Sequence, residues 1–432
     1  MQVIRGQLLS FNSAPSGEHP SDMLHIEKGA LVVDDLGKIV WLGDFSDLPQ
    51  THRGLPETDH GDKLILPGFI DAHLHFPQYR MIAAYGKDLL DWLNRYTFIE
   101  EQRFSEVAVA GPAAKLFLDE LARNGITSCL AFSTIHPIAL DALFEEAQSR
   151  NMAMASGKTL MDCHAPSGLC DKPETAYQQS TDLIKKWHEK GRLKYAVSPR
   201  FAVTSSEAQL EATGALVKEN PDLLLQTHLS ENHGEIEFVA SRFPKAKDYT
   251  DVYDHYGLLT ENSLFAHGIH LSERELSRLS EAGSAIVHCP TSNNFLGSGL
   301  FKLRETASYA NGIKVGLGCD IGGGTSFSTL QTMRDTYTVS QLVGSRITAF
   351  EAFHMATLGN ANLLGIGHEI GSLEVGKMAD LVVLDPQATP NMAARHALSK
   401  DLHDVLFALL IMGDDRAVAE TYIAGKAFKA NL

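Results

Sequence analysis

The sequence predicts an α/β protein: a (β/α)8 barrel of TIM type, joined to a small β-sandwich domain built from both chain termini. Three observations predict it. The middle of the chain alternates strand-length apolar runs with amphipathic helices about eight times, the rhythm of a parallel sheet. Both ends carry only short β-type runs and turns. Polar residues collect where the central strands end, the rim on which such barrels place their chemistry. The chain of 432 residues suits a barrel of roughly 300 residues with a smaller satellite. The expected division is 1–66 plus 369–432 for the β domain and 67–368 for the barrel.

In the N-terminal part, Ala30–Val33, the turn Asp34–Lys38 and Ile39–Leu42 read as a hairpin. Near the other end, Asp380–Leu384 and Thr421–Lys426 read as strands. The expected barrel strands are Leu64–His73, Thr127–Phe132, Ala153–Lys158, Tyr195–Ser198, Leu223–Thr227, Ser263–Ala266, Ala285–Val287 and Lys314–Gly318. The helices Val107–Arg123, Leu140–Ser149, Ala208–Lys218 and Glu273–Glu281 fall between them. A doubly wound open sheet is the alternative, weakened because no GxGxxG follows the first strand.

Composition narrows the function classes. With 44% hydrophobic and 21% charged residues the chain is ordinary globular protein. A formal charge of −16 argues against nucleic acid or an anionic membrane as partner. No apolar run approaches the ~20 residues that span a bilayer. Met1–Ser10 reads as a strand and not as a secretory leader. The five cysteines (Cys129, Cys163, Cys170, Cys289, Cys319) form no CxxC pair. Free thiols in a reducing cytoplasm are the simplest expectation.

The first barrel strand runs into His73-Leu74-His75. Residues i and i+2 of a strand share a side, so both imidazoles can face one ion. A lone HxH is weak, but His228, His267 and Asp320 also land just past apolar strands. Singly, each reads as a satisfied, half-buried polar side chain; as a set on one rim they read as a site. Imidazoles with one carboxylate suit zinc or iron(II), which makes a nucleophile of bound water near neutral pH. Glu231 lies three residues beyond His228. If it opens the following helix, with no other obvious partner, it is the natural proton shuttle.

The run Pro67-Gly68-Phe69-Ile70-Asp71-Ala72-His73-Leu74-His75, the later His228, His267 and Asp320, and the tail Gly371–Val383 together resemble the amidohydrolase superfamily. Strand four offers no lysine at its end, only Lys194 at its start, so the mononuclear deaminase branch is implied. His73–Gln78, Leu89–Phe98, Ser198–Phe201 and His288–Asn293 resemble the guanine deaminase subgroup. The resemblance implies one divalent metal per chain, zinc or iron(II), on His73, His75, His228 and Asp320. It implies Glu231, His267 and Asp320 as catalytic residues. His75, Gln78, Arg200, Phe201, His228, Glu231 and Asp320 would contact a purine base. The implied reaction is hydrolytic deamination of guanine to xanthine and ammonia, by a homodimer. Trp92 is expected as pocket wall or core, His288 and Asn293 as loop-orienting groups, and Cys289 and Cys319 as small buried residues. By composition Ile321–Thr325, which holds Gly322, reads as a flexible loop. A related ring (8-oxoguanine, a pterin, an aminotriazine) and a catalytically silent scaffold stay open as alternatives.

Overall fold

The computed structural model describes residues 1–17, 20–87 and 89–429. Four strands open the chain: β1 (Gln2–Phe11), β2 (Met23–Val33), β3 (Ile39–Asp44) and β4 (Glu57–Pro67). β2 and β3 are the expected hairpin, with Val33 paired to Ile39 across the turn. The barrel strands follow: β5 (Phe69–His75), β6 (Ile126–Phe132), β7 (Ala153–Gly157), the two-residue β8 (Thr159–Leu160), β9 (Leu193–Pro199), β10 (Leu224–Leu229), β11 (Ser263–His267), β12 (Ala285–His288) and β13 (Lys314–Leu317). β14 (Leu381–Leu384), β15 (Val418–Ile423) and β16 (Lys426–Ala427) end the chain.

The barrel sheet runs β5-β6-β7-β9-β10-β11-β12-β13, with β8 beside β9. Strands from both termini form a seven-stranded mixed sheet in the order β16-β15-β14-β4-β1-β2-β3. Among the described residues, no helix is long and apolar enough to cross a membrane.

Two expected strands are divided. Leu64–His73 does not run through: Leu64–Pro67 pairs with Leu381–Leu384 in the small sheet, and the barrel strand begins only at Phe69. Gly68 makes the break by lying hard against Thr127, where any Cβ would collide. Periodicity could not show this, because both pieces are apolar and buried. Thr421–Lys426 is likewise interrupted by a turn at Ala424 and Gly425, both at positive φ.

The barrel interior is filled by Ile70, Ala72, Leu130, Ala153, Ala155, Ala196, Leu224, Leu264, Ala266, Ala285 and Val287. In β5, Ile70 and Ala72 therefore point inward, and strict alternation would send His73 and His75 outward. An irregularity in the β5–β6 register between Asp71 and Leu74 changes the parity and returns both imidazoles to the lumen.

The first and last barrel strands meet through side chains as much as backbone. Asn360 Nδ2 donates to Ile70 O (2.6 Å) and Leu317 O (2.8 Å), and its Oδ1 accepts from Leu317 N–H (3.0 Å). Asp71 accepts from the backbone N–H groups of Cys319 (3.2 Å) and His73 (3.1 Å). Higher up, Asp320 N–H donates to His73 O (2.9 Å) and His75 N–H to Ile321 O (2.6 Å). Removing Asn360 would strand three buried backbone groups, each worth about 1–3 kcal/mol when unpaired, less whatever water can restore. Asn360→Ala should lower stability by about 2–4 kcal/mol, read as an earlier midpoint in urea. An unchanged midpoint would show that the seam does not need this side chain.

Candidate functional site

Five side chains converge at the upper end of the barrel. His75 Nε2 lies 3.1 Å from His228 Nε2. Asp320 Oδ1 is 3.3 Å from both His73 Nε2 and His75 Nε2. His267 Nε2 is 3.8 Å from Asp320 Oδ2. One ligand atom from each of His73, His228, His267 and Asp320 falls within a 4.8 Å spread. His75 and His267 both join this cluster, so five donors, not four, face the same centre.

Hydrogen bonding sets the tautomers. His228 Nδ1 is 2.7 Å from the Arg200 carbonyl, which can only accept, so Nδ1 carries the proton and Nε2 turns a lone pair to the centre. His267 Nδ1 faces Asn293 Oδ1 at 2.8 Å, which leaves its Nε2 pointing inward. Among the described residues, no hydrogen bond engages the buried His73 Nε2 or His267 Nε2. Phe132, which no sequence signal singled out, stacks on His75 at 4.9 Å and packs beside His228. Orphaned nitrogens and a carboxylate around one point are the donor set that a divalent ion requires. Lys194 stands at the other end of β9, and Lys158, just past β7, is buried against Asp171.

Glu231 does not open the helix that follows. That helix is His233–Arg242, capped by Asn232. Glu231 precedes the cap, its backbone N–H held by Glu235 Oε2 at 2.8 Å. Nor does its carboxylate lack partners: Ser298 Oγ donates to Oε1 (3.1 Å) and His267 Nε2 lies 3.4 Å from Oε2. Ser298 lies in a Gly-Ser-Gly stretch that reads only as loop.

The cluster floors a narrow pocket. Its walls include Gln78, Leu89, Trp92, Leu93, Arg200, Phe201 and Leu296. Of the two expectations for Trp92, wall or core, the pocket wall holds, and among the described residues its buried Nε1–H meets no hydrogen-bond partner. His288 does not line the pocket but stacks on Phe301. Ile321–Thr325 is no loose loop: Ile321 is buried, Gly324 N–H donates to Asp320 O (2.6 Å), and Gly322 N–H donates to Gln78 Oε1 (3.2 Å). Glu101, which sequence reasoning missed, lies within the fold behind Gln78 and Arg200. It accepts from Gln78 Nε2 (2.8 Å) and from Arg200 Nη1 (2.7 and 2.9 Å).

Residues 64–428 match the model of the amidohydrolase family. The chain belongs to the amidohydrolase family. It is 44% identical to the guanine deaminase of Escherichia coli (strain K12), over 99% of this chain and 97% of that one. A solved E. coli guanine deaminase superposes with a TM-score of 0.93 over 99% of both chains. A guanine deaminase from C. acetobutylicum, solved with bound guanine in its active site, is 31% identical and gives 0.88 over 99% of both.

In this amidohydrolase the charges follow from burial. Burial pushes His75 down to about 3 and His228 well below its usual range, so both stay neutral. Burial, then the neighbouring Asp320, pushes Glu231 up to about 8. Burial also works against charge on Asp320, but His73 and His75 hold it well below the usual carboxylate range. Neutral imidazoles around an ionised carboxylate are ready for a cation, whose charge would pull Glu231 back down. Binding to the folded state alone stabilises it by about 2.7 kcal/mol at a hundredfold excess over Kd. Adding zinc to chelated protein should therefore raise the melting midpoint, and in His228→Ala that rise should vanish. A midpoint indifferent to zinc in both would mean that the cluster holds no ion.

Proposed function

We propose that this chain hydrolyses guanine to xanthine and ammonia, using one zinc ion per chain. The observation that carries the reading is that the donor cluster, Glu231 and Arg200 line one pocket. The full-length likeness to guanine deaminases supports the choice of substrate. Imidazole and carboxylate donors suit zinc, with iron(II) as the second choice. The resemblance also supports a homodimer in the cytoplasm, which light scattering and fractionation would check.

His73, His75, His228 and Asp320 would hold the ion, which would lower the pKa of a water molecule toward neutrality and so supply a nucleophile. Glu231 takes the proton of the attacking water and delivers it to N3 of the base, which makes C2 electrophilic. The water oxygen bonds to C2, and His267 Nε2–H steadies the developing negative oxygen. The Asn293 side chain, 2.8 Å from Nδ1, holds that ring in place. Asp320 helps pass the second proton to the departing amine, and the C2–N bond breaks. Phe201 and Trp92 close on the ring faces, while Arg200 and Gln78 take its far edge.

The far edge decides the base. Guanine presents acceptors at O6 and N7, whereas adenine has a donor amine at the first of these positions. Arginine offers donors only, so it bonds O6 and repels the adenine amine. A site built on such a bond rejects the analogue lacking it by up to ~10⁴-fold. Guanine should be turned over readily, with adenine essentially untouched. Arg200→Ala should cost about 1.5–3 kcal/mol in kcat/KM for guanine, one to two decades, with the metal retained. Preference for adenine or a non-purine ring in the native protein would overturn the substrate assignment.

Glu231→Gln should keep fold and metal while turnover falls at least ~100-fold. Near-normal turnover at full metal occupancy would mean that the protons travel by another route.

A further inference from the structure

Glu101 is fully buried, carries no sequence motif of its own, and does not itself line the pocket. Both of its oxygens are engaged by Arg200 Nη1, and Oε1 also accepts from Gln78 Nε2. One carboxylate therefore holds the two polar side chains proposed to read the base. From the same helix, Phe98–Gln102, the Phe98 ring lies under the Arg200 guanidinium, 5.5 Å from its Cζ.

We infer that Glu101 is a specificity-determining positioning residue, which fixes the donor pattern that the pocket offers to the O6 edge of the base. The inference rests on the deaminase reading above and deepens it. The polarity follows from the partners. A carboxylate accepts and a backbone N–H donates, so the Gln78 amide is held one way round, Nε2 to Glu101 and Oε1 to Gly322 N–H. Arg200 spends Nη1 on Glu101, and among the described residues no side chain holds its Nε or Nη2. The guanidinium is planar, so anchoring one nitrogen bidentately also fixes where the remaining N–H groups point. Without the anion, Arg200 loses the carboxylate it is paired with, and the Gln78 amide is free to turn its oxygen where its nitrogen stood.

The test compares guanine with 2-aminopurine, which keeps the C2 amine and the purine ring but lacks O6. For the native holoenzyme, kcat/KM should favour guanine strongly. Glu101→Gln should lower kcat/KM for guanine about 10- to 100-fold, the scale of one charged hydrogen bond, mainly through KM. It should change 2-aminopurine by less than about threefold, on the same scale, so that the ratio collapses. Glu101→Asp, which keeps the charge, should recover part of the ratio and serves if the Gln variant folds poorly. In an Arg200→Ala background, adding Glu101→Gln should leave the ratio where Arg200→Ala put it. A parallel fall for both bases, or an unchanged ratio, would make Glu101 merely structural and overturn the inference. If the native protein does not deaminate guanine at all, the underlying reading fails instead, and the two failures are distinct.

Discussion

Four imidazoles and a carboxylate are held close enough at the barrel's upper rim that their lone pairs face one another across about 3 to 4 Å. Packed without a cation, such a cluster is repulsive, and burial makes it worse by stripping water from every donor. Much of the upper half of the barrel is arranged to hold that geometry. Ser230, His267 and Asp320 all sit at positive φ, a region that side-chain-bearing residues seldom enter. Each such residue costs about 1–3 kcal/mol. The strain falls where strands end and the chain turns at the rim. Packing beneath the rim, with the apolar lumen below and Phe132 against His75 and His228, holds these conformations in place.

Closing the barrel and assembling the cluster are one event. The seam between β5 and β13 joins His73 and His75 to Asp320 through reciprocal backbone bonds, with Asp71 accepting from Cys319 just beneath. Gly318 belongs to the same seam: a Cβ there would strike the His73 backbone at about 2.8 Å. These partners lie 248 residues apart at Asp71 and Cys319, so the ligand set cannot form until the whole sheet has gone round. Contacts of that separation are made late, because loop-closure entropy precedes their reward.

Much of this was legible in the sequence, for a physical reason. Strand-terminal histidines after apolar runs mark a rim in any parallel barrel, and the order of His73, His75, His228, His267 and Asp320 needs no tertiary knowledge to notice. What was not legible is what depends on parity and on contacts across the fold. The irregularity that turns His73 and His75 inward leaves the HxH spacing unchanged. The division at Pro67-Gly68 hides between two apolar stretches. Glu101 sits beside Glu100, and nothing local tells the two apart. Yet Glu100 pairs with the half-exposed Arg80 and Arg103, while Glu101 is buried against Arg200.

In the proposed reaction Arg200 joins the two ends of the pocket, and its two parts would act independently. Its carbonyl fixes the tautomer of His228 and so belongs to the reacting end. Its side chain, anchored by Glu101, belongs to the reading end. A substitution that alters the side chain leaves the carbonyl where it was, because Arg200 N–H is itself tied to Leu160 O at 3.1 Å. The reacting end is built almost wholly on strand termini, the most rigid part of a barrel. Much of the reading end comes from the segment between β5 and the helix Val107–Arg123, which contributes Gln78, Trp92 and Glu101. Chemistry and recognition thus rest on different parts of the chain. On the proposed function, the recognition segment could change its side chains without disturbing the donor cluster, which is how one barrel rim can serve rings of different polar edge.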